Sequence, residues 1–200
     1  MSQKKLIITL VVLAFSLFGV MTVYFFNQEL NKRHLPVLSS VGEFKLLDSN
    51  GQEFGLSNLK SKIWIADFFF TTCSEICPMM TKNMATLYRS FLLEKDVAFV
   101  SFTVNPEYDS AGVLSQYAQK FNADTSKWHF LTGPRGMIQD IAVKSFKLGD
   151  IHEPVFHSSY FVLVDRKGQI RGYYGGMKKE ELPRLFKDLA YLIKERPHAY

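Results

Sequence analysis

The chain opens on a run of 21 residues, Leu6 to Phe26, without a single charge. At 1.5 Å per residue a helix of that length covers a hydrocarbon core of about 30 Å, so the pattern predicts one membrane-spanning helix. The run exceeds the apolar core of roughly 7 to 15 residues found in a cleaved signal peptide, and no Ala-x-Ala-like site follows it. An uncleaved anchor is therefore expected. Lys4 and Lys5 before the run are nearly balanced by Lys32 and Arg33 after it, so charge barely orients the span. The free amino terminus tips the choice toward placing the later residues outside. No Arg- and Ser-rich transit segment precedes the span, which fits a bacterial envelope protein.

After a polar stalk the pattern changes to short apolar runs alternating with helical periods. Asp48-Ser49-Asn50-Gly51, between Phe44, Leu46, Leu47 and Phe54, predicts a hairpin. Ile63 to Phe70 and Val97 to Val104 are largely apolar runs of the kind that form buried strands. Between them Met80, Met84, Leu87, Tyr88 and Phe91 recur at spacings of three and four, which makes one face of a helix apolar. Val113, Leu114, Tyr117 and Phe121 repeat that period after a cap at Ser110. Met137, Ile138, Ile141, Ala142 and Phe146 do so after Gly133-Pro134. Trp128 to Leu131 fits a short strand. Tyr160 to Val164 and Gln169 to Tyr174 bracket a second hairpin turn, Asp165-Arg166-Lys167-Gly168, ahead of a terminal helix carrying Leu182, Leu185, Phe186, Leu189 and Ile193. This order implies an α/β sandwich with a mixed central sheet and an N-terminal hairpin, of which the thioredoxin-like arrangement is the simplest example. The expected organisation is a short cytoplasmic head at 1–5, the anchor at 6–26, a stalk at 27–38, one folded domain at 39–196 and a tail at 197–200.

Composition narrows the function. The chain of 200 residues is 47% hydrophobic and 22% charged, which suits one packed core and excludes a disordered chain. The net charge of +5 includes Lys4 and Lys5, and what remains is too small and too evenly spread for a nucleic-acid footprint. No nucleic-acid partner is expected. Two cysteines, Cys73 and Cys77, are too few for a four-thiolate iron–sulfur or zinc site.

Those two cysteines lie in Phe70-Thr71-Thr72-Cys73-Ser74-Glu75-Ile76-Cys77-Pro78, where the first long strand meets the helix after it, a position at which α/β folds place ligands. Pro78 suits a first helical position, so Cys77 is expected to cap the helix with Cys73 in the turn just ahead. Both sulfurs then lie near a helix N-terminus, which favours thiolate. Three intervening residues put the sulfurs about one helical turn apart, close enough to clamp one metal ion, while a disulfide remains sterically open. Two thiolates and an imidazole are too few for a closed zinc site, and soft sulfur favours Cu(I), with an added nitrogen able to hold Cu(II). Of the five histidines, His34 and His198 belong to the stalk and tail, and His129 alternates with Trp128 and Phe130 as a structural side chain. His157, immediately before a strand, and the more distant His152 remain as candidate ligands.

Taken together, Phe69 to Pro78, the stretch Thr103-Val104-Asn105-Pro106-Glu107-Tyr108-Asp109, and His157 ahead of Tyr160 to Asp165 and Gly168 resemble the Sco/SenC family. The resemblance runs from about Phe44 to Leu192, with the anchor in addition. It implies a thioredoxin-like domain tethered outside the bacterial inner membrane, on the periplasmic face. It also implies that Cys73, Cys77 and His157 bind copper and supply it to the CuA centre of cytochrome c oxidase. The oxidase subunit carrying CuA, or another copper-accepting protein, is then the partner. A second function drawn from the same family is thiol–disulfide exchange by Cys73 and Cys77, keeping oxidase copper ligands reduced. Asn105, Tyr108 and Phe156 depart from the family pattern of Asp, Arg and an acidic residue, while Asp109 keeps it. Met80 and Met84 read as core and Met79 as an exposed neighbour of the sulfurs. A peroxidase is disfavoured, because Thr72-Cys73 lacks an adjacent basic residue.

Overall fold

The structure is a computed structural model that describes residues 3–30, 35–149 and 159–195. It divides into two compact units, Met1–Leu35 and Pro36–Tyr200. The first unit is a helix, α1 (Gln3–Leu30), that contains the uncharged run. Val12, Leu13, Phe15, Leu17 and Phe18 are all exposed, and at 100° per residue they point to every side of the helix. Residues 4–6, 8–11, 14 and 25–30 are described by backbone alone. Among the residues described in full, no helix is long and apolar enough to cross a membrane.

In the second unit, β1 (Ser39–Ser40) precedes the hairpin of β2 (Lys45–Asp48) and β3 (Glu53–Gly55). Asp48 closes the turn, its Oδ1 accepting from the amides of Asn50 at 2.8 Å and Gln52 at 2.9 Å. Gly51 takes φ +76°, a conformation glycine adopts without steric cost. Then come β4 (Ile63–Phe69), α2 (Ile76–Ser90), β5 (Val97–Thr103) and α3 (Ala111–Lys120). They are followed by β6 (Trp128–Thr132), α4 (Arg135–Asp140), β7 (Tyr160–Val164), β8 (Gln169–Gly175) and α5 (Glu181–Lys194). Ser110 caps α3 as its position implied, accepting from the Val113 amide at 3.4 Å.

The eight strands form one sheet in the order β1-β8-β7-β4-β5-β6-β2-β3. β4, β5 and β6 run parallel, while β7 and β2 flank them antiparallel. The sheet is therefore mixed, and every residue of β4 and β5 is buried, as expected of central strands covered on both faces. One face, carrying Trp64, Ala66, Phe68, Val100 and Phe102, packs against the hairpin and α4. The other carries Asp67, Phe69, Phe99 and Trp128 beneath α2 and α3, with Tyr88 set against Phe99 and Trp128 and Tyr117 against Phe69.

The single helix expected over Met137 to Phe146 is interrupted. α4 ends at Asp140 and passes into a wider π-type turn over Ile141–Ser145. Such a turn re-aims the residues after it, and here Phe146 meets the rings of Trp64, Phe68 and Phe102. Phe102 is the hub of that cluster, with ring centroids 5.6 Å from Phe44, 5.0 Å from Phe68 and 5.7 Å from Phe146. Phe102→Ala is expected to lower the free energy of unfolding in urea by about 3–5 kcal/mol. A loss below about 1 kcal/mol would show that the cluster can close around the cavity.

Candidate metal and thiol site

β4 is buried to its last residue, and the chain leaves the sheet at Phe70 to turn through Thr71 and Thr72 into α2. The last rung of the β4–β5 ladder is the Val104 amide donating to the Phe69 carbonyl at 2.8 Å. Cys73 follows within a turn, its amide donating to the Phe70 carbonyl at 3.3 Å. It lines an open recess of about 260 Å³ together with Phe70, Thr72, Ser74, Glu75 and Ile76.

Cys77 does not cap the helix. α2 begins at Ile76, so Cys77 is its second residue and Pro78 its third. Amides in the first turn have no acceptor within the helix, so proline costs no hydrogen bond there and the helix starts ahead of it. The consequence is an asymmetric pair: both cysteines are free, Cys77 is buried at 3% exposure and Cys73 is half-buried. The Cys77 amide donates to Cys73 Sγ at 3.4 Å.

The surroundings treat the two thiols differently. Burial alone would raise Cys73, but hydrogen bonds from the Cys77 backbone and thiol and from the amides of Glu75 and Ile76 hold it below its ordinary value. Burial pushes Cys77 up to about 12, and the neighbouring charges of Cys73 and Asp67 add to the rise. This arrangement offers one thiol at the surface that ionises more readily than an ordinary cysteine and one sulfur held protonated behind it. A soft cation that displaces protons from sulfur can be gripped there, and so can a partner's disulfide.

Two buried carboxylates accompany the pair: Asp109, part of the stretch Thr103 to Asp109, and Asp67, which the spacing of motifs did not single out. Asp67 lies within β4 at 1% exposure, its Oδ1 has no hydrogen-bond partner among the described residues, and burial raises its pKa to about 7 against a weaker lowering by Ser101. A charged residue inside Ile63 to Phe70 was itself a legible signal. Asp109 is fully buried and bonds the turn that carries Cys73. Behind Cys77, the Thr81 hydroxyl donates to its carbonyl at 2.8 Å and lies 2.9 Å from the Tyr117 hydroxyl. Burial drives Tyr117 to about 12, so that hydroxyl stays protonated near neutral pH.

The structure brings Cys73 and Cys77 together. His157 and His152, together with Phe156, lie outside the described residues, as do His34 and His198. Among the described residues no group of three or more His, Cys, Asp or Glu is placed to hold a metal ion. His129 has the structural role its alternation indicated: its ring is 4.3 Å from that of Phe54, and burial lowers its pKa to about 4. Met80 and Met84 are buried in the core, whereas Met79 is 51% exposed beside the cysteine turn.

A thioredoxin-like α/β domain with two free cysteines at the start of the helix after a central strand defines the class. Within that class the chain belongs to the SCO1/SenC family, whose profile matches residues 34–194. It is 33% identical over 160 residues to the SCO1 protein homolog of Bacillus subtilis, covering 77% of this chain and 83% of that one. Its fold is similar to that of BsSco, described as a member of the Sco family of cytochrome c oxidase assembly proteins with a disulfide switch. That match has a TM-score of 0.71 and 32% identity, over 80% of this chain and 97% of the other. Yeast Sco1 with copper bound is similar at a TM-score of 0.65 and 25% identity, over 82% and 92% of the two chains. Copper binding is thus a property of the family.

The electrostatics lead to two expected outcomes. At pH 7 iodoacetamide is expected to label Cys73 first and to reach Cys77 only slowly or after unfolding, as peptide mapping would read; equal labelling would contradict the asymmetry. Asp67 binds its proton more tightly folded than unfolded, so its contribution favours the folded state at low pH and is lost as pH rises from about 4 through about 7. Asp67→Asn is expected to gain stability over the native protein across that window, by a few kcal/mol at most, on the order of 4 kcal/mol for a shift of this size. A difference that stays constant with pH would refute the shift.

Proposed function

We propose that this chain is a membrane-anchored copper chaperone, which binds copper through Cys73, Cys77 and His157 and supplies it for assembly of the CuA centre of cytochrome c oxidase. The observation that carries the reading is the pair of free thiols at the start of α2, one held low in pKa and half-exposed, the other buried behind it. Two sulfurs supply the soft donors that copper prefers, and an imidazole from the segment before β7 completes the set. Copper here is cargo: the open recess beside Cys73 leaves room for an acceptor's ligands to take the ion by exchange. The oxidase assembly role of BsSco and the copper carried by yeast Sco1 support this assignment.

The anchor belongs to the same proposal. The 21 uncharged residues fall inside one continuous helix and leave no polar stripe, which suits lipid on all sides. The domain then stands on the periplasmic face of a bacterial inner membrane, where an oxidase subunit exposes its copper ligands.

A second reading is favoured by the reactivity difference between the two thiols. The Cys73 thiolate attacks a partner's disulfide and forms a mixed disulfide, releasing one partner thiolate. Cys77 loses its proton, displaces the second partner sulfur and closes a Cys73–Cys77 disulfide. The partner gains two electrons, takes up the proton from Cys77 and one from water and leaves as a dithiol, while the Cys73–Cys77 pair gives up the same two electrons. BsSco, with its disulfide switch, supports this branch.

An anaerobic Cu(I) and Cu(II) titration of the purified chain, beside Cys73→Ser, Cys77→Ser and His157→Ala, separates the two. Stoichiometric binding is expected in the native chain and loss of it in each cysteine variant. His157→Ala is expected to weaken Cu(II) binding by about 10-fold or more while leaving disulfide exchange nearly unchanged. Unchanged Cu(II) affinity in that variant would remove His157 from the ligand set, and absence of binding in the native chain would leave the thiol-exchange reading.

A further inference from the structure

Beyond the last β4–β5 rung the cysteine turn is held by a carboxylate from the turn after β5. Asp109 is fully buried and accepts from the Thr71 amide at 3.1 Å, from the Thr71 hydroxyl and from the Thr103 hydroxyl. The Thr103 oxygen in turn accepts from the Asn105 amide at 3.0 Å. The carboxylate therefore joins the turn after β4 to the turn after β5, across 38 residues of sequence. The elements on either side of it have hydrogen bonds of their own as well. Ser110, not Asp109, caps α3, and the Asn105 carbonyl closes its own turn by accepting from the Tyr108 and Asp109 amides. Three donors converge on the two oxygens of one buried side chain, and an asparagine there would point its amide hydrogens at a donor.

We propose that Asp109 is a positioning residue for Cys73. By pinning Thr71 at two points it holds the turn Phe70 to Cys73, so that Cys73 Sγ stays over the Cys77 amide and at a fixed separation from the second sulfur. This inference rests on the reading of Cys73 and Cys77 as the copper pair, and it assigns the preorganisation of that pair to a carboxylate that touches neither sulfur. Partners of this kind orient ligands, and their loss lowers metal affinity although the ligands remain.

The test compares the full chain with Asp109→Asn, Thr71→Val, their double variant and Thr71→Ser. It reads Cu(II) affinity by competition, and amide hydrogen exchange of Thr71 and Cys73 in the copper-free protein. Asp109→Asn and Thr71→Val are each expected to weaken copper binding by about 10-fold or more and to speed exchange at the two turn amides, with β6 amides unchanged. The double variant is expected to be no worse than the more affected single one, and Thr71→Ser, which keeps the hydroxyl, to restore nearly native behaviour. A folded Asp109→Asn protein with native affinity and native exchange would overturn the inference. If Asp109→Asn does not fold, Thr71→Val decides against Thr71→Ser: a difference between them upholds the clamp and equality overturns it. Should the native chain bind no copper, the functional reading fails, and exchange at Thr71 and Cys73 still judges the clamp.

Discussion

Burial of β4 on both faces is the constraint on which the site depends. Its seven residues all lie inside, bonded to β5 on one side and β7 on the other, so its register cannot slip without exposing aromatic rings. A strand held that firmly delivers the next residues to one place, the carboxyl edge of the parallel strands. The chain must there reverse into a helix, and a helix start offers unpaired amides. Cys73 meets those amides and Cys77 is carried into the first turn. The same backbone course that makes one sulfur reactive makes the other buried.

That asymmetry links the two chemistries open to the pair. Copper exchange and disulfide exchange both need an accessible thiolate to begin and a second sulfur to complete the step. An exposed pair of equal thiols would be open to oxidation, and a wholly buried pair could not meet a partner. The position of Cys77 in the first turn of α2, buried and close to Asp67 and Thr81, holds its proton more tightly than Cys73 holds its own.

Much of this was legible in the order of residues because strands and helices bury their side chains at different periods. Ile63, Val97, Trp128, Tyr160 and Gln169 each begin a strand where the apolar runs placed it, and Asp48 and Asp165 close hairpin turns by the same pair of hydrogen bonds accepted from following amides. Local spacing could not reveal contacts made through the fold. Pro78 was compatible with more than one helical position, and only the placement of Ile76 in the helix decided against a Cys77 cap. The bond between Thr71 and Asp109 spans 38 residues, and the widened turn after Asp140 serves a ring, Phe146, whose partners lie on two other strands. Asp67 was visible as a carboxylate in an apolar strand, but its place beneath the cysteines required the helix above it.

The central claim is that two sulfurs and one imidazole grip one copper ion. X-ray absorption at the copper edge of the loaded chain tests it most directly, because scattering distinguishes sulfur from nitrogen neighbours. The account predicts two sulfur scatterers together with an imidazole signature that disappears in His157→Ala. A spectrum without sulfur, or one that His157→Ala leaves unaltered, would contradict it.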